Sequence, residues 1–219
     1  MIWSLRFLLI WSMIQARVVD LPLPAGARVG TGSNRRMGML RSMRPDLEVV
    51  AIRGNVDTRL RHVSEGRLDA VVLAAAGLCR LDLLSQATQM LDPTSFVPAP
   101  GQGALAVECR EDETDEGLLA ALRELDDPAT RAATTAERAI LAALRAGCNA
   151  PVGAYAVCSE PGFWEPELHL RAVVVDPTGA VVLSESAAGP VADAETLGRT
   201  VAAQLSAAGA SALLGESVA

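Results

Sequence analysis

Residues 27–60 read ARVGTGSNRRMGMLRSMRPDLEVVAIRGNVDTRL, and this stretch decides the fold. A short strand, Ala27 to Gly30, runs into turn residues. Ser33 is a good helix N-cap, and a helix through NRRMGMLRSM stops before Pro45. LEVVAIR alternates poorly and is β-branched in its middle, which marks a buried strand. NVDTRLRHVSEG follows as a short helix closed by Gly66. Strand, helix, strand and helix in this order predict a parallel sheet with helices on its faces.

Further along the chain, LDAVVLAAAGL reads as another buried strand, running into a helix near GLCRLDLL. Pro98, Pro100, Gly101 and Gly103 break the pattern. ALAVECR, residues 104–110, is expected to form a strand, and DEGLLAALREL and PATRAATTAERAILAALRAG to form helices. Pro128 suits the first turn of the second helix, with Asp127 as its cap. APVGAYAVCSE, ELHLRAVVVD and AVVLSESAAG read as strands, with DPTG the turn between the last two. A final helix covers about Ala192 to Ala208. The expected fold class is α/β with a parallel-rich sheet, followed by a C-terminal α+β domain with an antiparallel sheet.

The chain has 219 residues, enough for one large domain or two small ones with a real core. Half the residues are hydrophobic but only 3% are aromatic, so Ala, Val and Leu build that core. A net charge of −7 argues against a general nucleic-acid binder. All nineteen basic residues are arginine, which excludes a Schiff-base lysine and a P-loop lysine. The apolar run FLLIWSMI near the N-terminus is too short to span a bilayer. Arg6 precedes it as in a signal peptide, but no small-x-small cleavage site follows. A misplaced start or a truncated gene is the expected origin of residues 1–20.

The cysteines are Cys79, Cys109, Cys148 and Cys158, and their spacings match no zinc or disulfide framework. With only His62 and His169 beside them, no metal site is expected, and the chain reads as reduced and cytoplasmic. Cys79 and Cys109 lie in apolar stretches and are expected in the core. Cys158, ending a strand, is expected to be structural. Cys148 differs. It follows an alanine-rich helix and is surrounded by Gly147, Asn149, Ala150, Pro151 and Gly153, so a thiol there can be reached.

Nine arginines face five acids between Ser33 and Arg80, a local surplus of four. Arg35 and Arg36 sit in the first turn of a helix, where a cation opposes the macrodipole unless an anion is bound. Arg53 ends a buried strand, Arg59 lies in the next helix, and Arg80 follows the third strand. Three βα junctions thus each bring arginine toward the edge of the sheet where ligands collect. Exposed structural arginines, or the ligand cleft of a periplasmic-binding-protein-like module, would give the same pattern. Asp57 and Asp69 read as solvated helix and strand-end residues.

VGTGSNRR, RPDLEVVAIRGNVDTRL, LDAVVLAAAGLCRL, PAPGQGALAVECR, AERAILAALRAGC and APVGAYA occur in this order. Together they closely resemble the hydroxymethylbilane synthase (porphobilinogen deaminase) family from Leu21 to the C-terminus. The resemblance implies a monomeric cytoplasmic transferase of haem and tetrapyrrole biosynthesis, acting on porphobilinogen and a growing polypyrrole. It implies no nucleic-acid or membrane partner. Cys148 would carry a dipyrromethane cofactor through a thioether, and each porphobilinogen would be added to it with loss of ammonia. Arg35, Arg36, Arg53, Arg59 and Arg80 would bind the acetate and propionate carboxylates. Ser33 would lie near the cofactor, and Gln102 in the segment returning to the first domain.

The resemblance also frames the domains. Residues 1–20 match nothing in the family. Residues 21–97 would form a periplasmic-binding-protein-like domain two, and 98–125 the returning strand and helix of an otherwise missing domain one. Residues 126–219 would form the cofactor-attachment domain. Cys79 stands where relatives commonly have lysine, and Gly32 where serine is common. The family's lysine-aspartate motif, whose aspartate stabilises cationic pyrroles, does not occur, so no catalytic residue is assigned. The rival expectations are a non-catalytic anion-binding module or an inactive fragment of the enzyme.

Overall fold

A computed structural model describes residues 21–159 and 166–215. The expectations for residues 1–20 lie outside the described residues. Strands β1 (Arg28–Thr31), β2 (Glu48–Ala51) and β3 (Ala70–Val71) form a parallel sheet in the order β2-β1-β3. Helices α1 (Asn34–Met43) and α2 (Val56–Ser64) connect them, and α3 (Ala75–Arg80) follows β3. The boundaries of α1 are those expected. The Ser33 hydroxyl accepts the Arg36 N–H at 3.4 Å, and Pro45 follows the C-cap Arg44. β3 is shorter and less buried than its apolar run predicts, because it pairs with β1 over only two residues.

Strands β4 (Val152–Cys158), β5 (Glu167–Val175) and β6 (Val182–Pro190) form an antiparallel sheet. Asp176–Gly179 makes the turn between β5 and β6, with Gly179 N–H donating to the Asp176 carbonyl at 2.7 Å. Helices α5 (Pro128–Ala143), α6 (Ala194–Ala207) and α7 (Ala210–Leu214) join this sheet around Ile140, Leu168, Leu170, Val174, Val201 and Leu205. At Gly198 a Cβ would strike the Ala136 carbonyl, so glycine is what lets α5 and α6 approach this closely.

β5 belongs to two cores. Leu168, Leu170, Ala172 and Val174 pack with the helices, while Val173 and Val175 join Val29, Leu40, Phe96 and Val97. Its sequence shows why: alternation through ELHLRA gives way to the continuous apolar run VVV, as a strand covered on both faces requires. α1 lies against the turn after β5. Arg41 Nη1 donates to the Pro177 carbonyl at 2.7 Å, and a Cβ on Gly38 would strike the Asp176 carbonyl.

Three expectations are corrected. Residues 104–110 form no strand: a strand needs a neighbour for its N–H and C=O groups, and none pairs with them among the described residues. Leu105 is consequently 93% and Val107 62% exposed, and Cys109 is exposed rather than in the core. Helix α4 (Glu116–Leu125) is well capped by Asp115, yet it has no buried residue. α5 stops at Ala143, before the glycine expected to end it. Arg145, at φ 50°, takes the left-handed position, with Arg145 N–H on the Ala142 carbonyl and Ala146 N–H on that of Leu141. Ala146 and Leu141 both pack against the core, so burial fixes where the helix ends despite the unfavourable backbone of an arginine.

Candidate anion site and cysteine turn

The carboxyl ends of the parallel strands and the N-terminus of α1 meet at Thr31–Asn34. Thr31 is buried, and its hydroxyl accepts the Ser33 N–H at 3.3 Å. Gly32 is exposed, and a Cβ there would lie 2.7 Å from the Ile52 carbonyl. A serine at this position would therefore require a backbone shift.

Arg36 is half-buried, and its Nη1 donates to the Val72 carbonyl at 3.0 Å. Arg59 reaches the same place from α2. Its Nε donates to the Gly54 carbonyl at 2.9 Å, and its Nη2 lies 3.7 Å from where a Gly32 Cβ would be. The Arg36 guanidinium is held below its ordinary pKa, first by burial and then by the charge of Arg59. No carboxylate pairs with either arginine among the described residues. Two neighbouring cations at a helix N-terminus repel, and a bound anion would offset that cost.

The expected set of arginines is only partly assembled. Arg35 turns inward and is 3% exposed. Its Nη1 donates to the Val97 carbonyl and lies 3.7 Å from Met39 Sδ. Burial, then Arg36, lowers its pKa to about 10. One position along a helix turns a side chain by about 100°, so adjacent arginines at the start of α1 face opposite surroundings. Arg53 and Arg80 are exposed, without a hydrogen bond or ion pair to a described residue.

Cys148 is exposed in the turn after α5. One hydrogen bond joins that turn to the arginine cluster: Asn34 Nδ2, in the first turn of α1, donates to the Asn149 carbonyl at 3.4 Å. Gln102 is exposed in the crossing segment. Asp57 and Asp69 are exposed as expected, and Asp69 Oδ2 accepts the Arg28 N–H at 2.7 Å. Cys79 and Cys158 are half-buried, and all four cysteines are free thiols. A shallow cleft lined by Thr94, Tyr155, His169 and Arg171 lies on the antiparallel sheet, and none of the expected site residues lines it.

Sequence reasoning missed two residues. Asn34 carried no signal, since a polar residue in a first helical turn is ordinary. Glu137 carried one, because helical spacing places it with Ala133, Ile140 and Leu144 on the apolar face of α5. Its carboxylate accepts the N–H of Gly101 at 2.6 Å and of Ala156 at 2.8 Å.

No group of three or more His, Cys, Asp or Glu suited to a metal occurs among the described residues, and no described helix is long and apolar enough to cross a membrane. Among known proteins, residues 8–117 match the family model described as porphobilinogen deaminase, dipyromethane cofactor binding domain, so the match takes in residues 8–20, which were expected to match nothing in the family. Residues 132–207 match that of the porphobilinogen deaminase C-terminal domain. The chain is 56% identical over 194 residues to a porphobilinogen deaminase of Acidothermus cellulolyticus, covering 88% of this chain and 57% of the relative. It is 52% identical over 202 residues to porphobilinogen deaminase 1 of Streptomyces coelicolor, covering 89% and 63%. With porphobilinogen deaminase 1 of Streptomyces avermitilis it shares 52% over 204 residues, covering 89% and 62%. The chain thus spans about 57 to 63% of the length of these relatives.

Proposed function

The chain belongs to the porphobilinogen deaminase family, and from that membership we propose that it carries a dipyrromethane cofactor on Cys148 in hydroxymethylbilane synthase chemistry. The substrates in this reading are porphobilinogen and the growing polypyrrole. The carrying observation is the Asn34–Asn149 hydrogen bond, which sets the exposed Cys148 turn beside the Arg36–Arg59 pair. The residues suit the group. A soft thiol in an open turn can form a thioether, and two guanidiniums without a carboxylate partner among the described residues suit acetate and propionate side chains. When bound, the cofactor supplies a pyrrole carbon as the nucleophile that extends the chain. Ser33 would donate from its hydroxyl at the same helix end. Arg53 and Arg80, both exposed, would take carboxylates as the oligomer lengthens. Arg35 keeps a positioning role, because its guanidinium is already committed to Val97.

The same reading makes residues 21–97 a periplasmic-binding-protein-like domain two, 98–125 a returning strand and helix, and 126–219 the cofactor-attachment domain. It makes the protein a cytoplasmic monomer. A non-catalytic binding module would leave the exposed cysteine beside the arginines without a use.

Intact-mass analysis after incubation with porphobilinogen or preformed hydroxymethylbilane tests the attachment. A dipyrromethane adduct on the wild type that disappears in Cys148→Ser is expected. An adduct that persists in Cys148→Ser would overturn the assignment. Among the described residues, no carboxylate pairs with the arginines of this site to stabilise a cationic pyrrole. Such a group is worth roughly a hundred- to a thousandfold in rate. These 219 residues alone should therefore form uroporphyrin at least about a hundredfold more slowly than a fusion to the N-terminal part of a relative. Equal rates would show that the carboxylate lies within this chain.

A further inference from the structure

Residues 97–102 cross between the two cores, and their backbone is gripped from both sides. From α1, Arg35 donates to the Val97 carbonyl. From β4, Ala154 N–H donates to the Pro98 carbonyl at 3.0 Å. Gly153 lets the strand come this close: a Cβ there would lie 3.0 Å from the carbonyls of both Val97 and Pro98. At the far end, Gly101 N–H donates to Glu137 Oε2 at 2.6 Å, while Glu137 Oε1 accepts from Ala156 N–H at 2.8 Å. One carboxylate of α5 thus ties the crossing strap to β4.

Glu137 is 7% exposed, and no cation pairs with it among the described residues. Its surroundings offer little compensation. β4 brings Tyr155, whose phenol is pushed up by burial, then by Glu137 and Asp92. α6 turns Leu197, Gly198, Val201 and Ala202 toward α5, and its Glu195 and Arg199 pair with each other at the surface. The strap itself, Pro98–Gln102, has no ionisable side chain. A buried carboxylate held by two N–H groups alone is costly to ionise.

We propose that Glu137 is a positioning residue and a pH-responsive latch: it docks the Pro98–Gln102 strap on β4, and loss of its proton loosens that docking. The direction follows from linkage. Burial outweighs the two N–H bonds and raises the docked carboxyl from 4.5 to about 7. If the strap lifts, water returns and the carboxyl falls back toward its ordinary range. The docked state binds the proton more tightly, so docking is strongest below about pH 4.5 and weakens as pH rises through about 7. Partial rehydration sets the size, and a tenfold or greater change in the open population is expected on the order of two to three pH units.

The test is amide hydrogen exchange of the whole chain between about pH 5.5 and 8.5, expressed as protection relative to intrinsic rates. Gly101 and Ala156 should lose about tenfold or more of their protection across this range, while Val201 in the helical core stays constant. In Glu137→Gln the pH dependence should vanish. Constant protection at Gly101 in the wild type, or an unchanged dependence in Glu137→Gln, overturns the proposal. Should Glu137→Gln fail to fold, carbon-13 titration of the wild-type glutamate carboxyls decides. One carboxyl titrating near pH 7 in step with the Gly101 N–H supports the latch. Titration of every glutamate near its ordinary value refutes it.

Discussion

Helices α4 and α5 are neighbours in sequence and opposites in burial. Both are capped by an aspartate, Asp115 and Asp127, whose side chains accept first-turn N–H groups. Both carry an apolar face, made of Leu118, Leu119, Leu122 and Leu125 in α4 and of Ala132, Ala136, Ala139 and Ile140 in α5. The leucine face is the larger, yet α4 buries no residue, whereas α5 closes on β4 and α6. Caps and periodicity therefore specify a helix, while a partner surface decides whether its face is covered. Residues 104–110 repeat the lesson for a strand pattern without a neighbour.

The largest expected contrast is between Ile140→Ala and Leu118→Ala. The first opens a cavity in a closed core and should cost about 2–5 kcal/mol in urea unfolding. The second should stay within about 0.5 kcal/mol. Comparable losses would mean that α4 packs against something in solution. Glycine substitutions sharpen the same contrast. Gly198→Ala drives a Cβ into the Ala136 carbonyl and should cost about 1–3 kcal/mol. Gly117→Ala meets only its own cap oxygen at 3.2 Å, and thermal melts should show it neutral or slightly stabilising.

The pH dependence of stability should arise on the α5 side. Glu137 binds its proton more tightly folded than unfolded, so its stabilisation is full below about pH 4.5 and lost as pH rises through about 7. Urea midpoints should fall over this interval by the equivalent of at most about 3 kcal/mol, and Glu137→Gln should flatten the trend. The smallest effect expected is a gain. Arg145→Gly removes the left-handed penalty of an arginine at the end of α5 and should add about 1 kcal/mol.

Local signals were read well from the sequence. Ser33, Pro45, Asp127 and Pro128 give the boundaries of α1 and the start of α5 because caps and proline act within a few residues. The small and stiff residues around Cys148 mark its accessible turn in the same local way. What the sequence left undecided was direction and partnership. Arg35 and Arg36 are identical in type and adjacent, and only the position of Val97, sixty-two residues away, turns one inward. The apolar neighbours of Cys109 predict a core position, yet among the described residues Leu105 and Val107 stay exposed. The sequence points to Gly147 as the left-handed residue at the end of α5, while burial of Leu141 and Ala146 selects Arg145.

The two-faced strand β5 has a consequence for how the molecule comes apart. Val174 lies in one core while Val173 and Val175 lie in the other. Melting either half strips one side of this strand and exposes the valines that hold the other half. Partial unfolding along the boundary between the halves is therefore penalised twice. Despite its two separate sheets, the chain should lose both in one cooperative transition, with calorimetric and van't Hoff enthalpies agreeing. The exposed 104–125 segment, tied into neither core, should exchange its amides long before that transition begins.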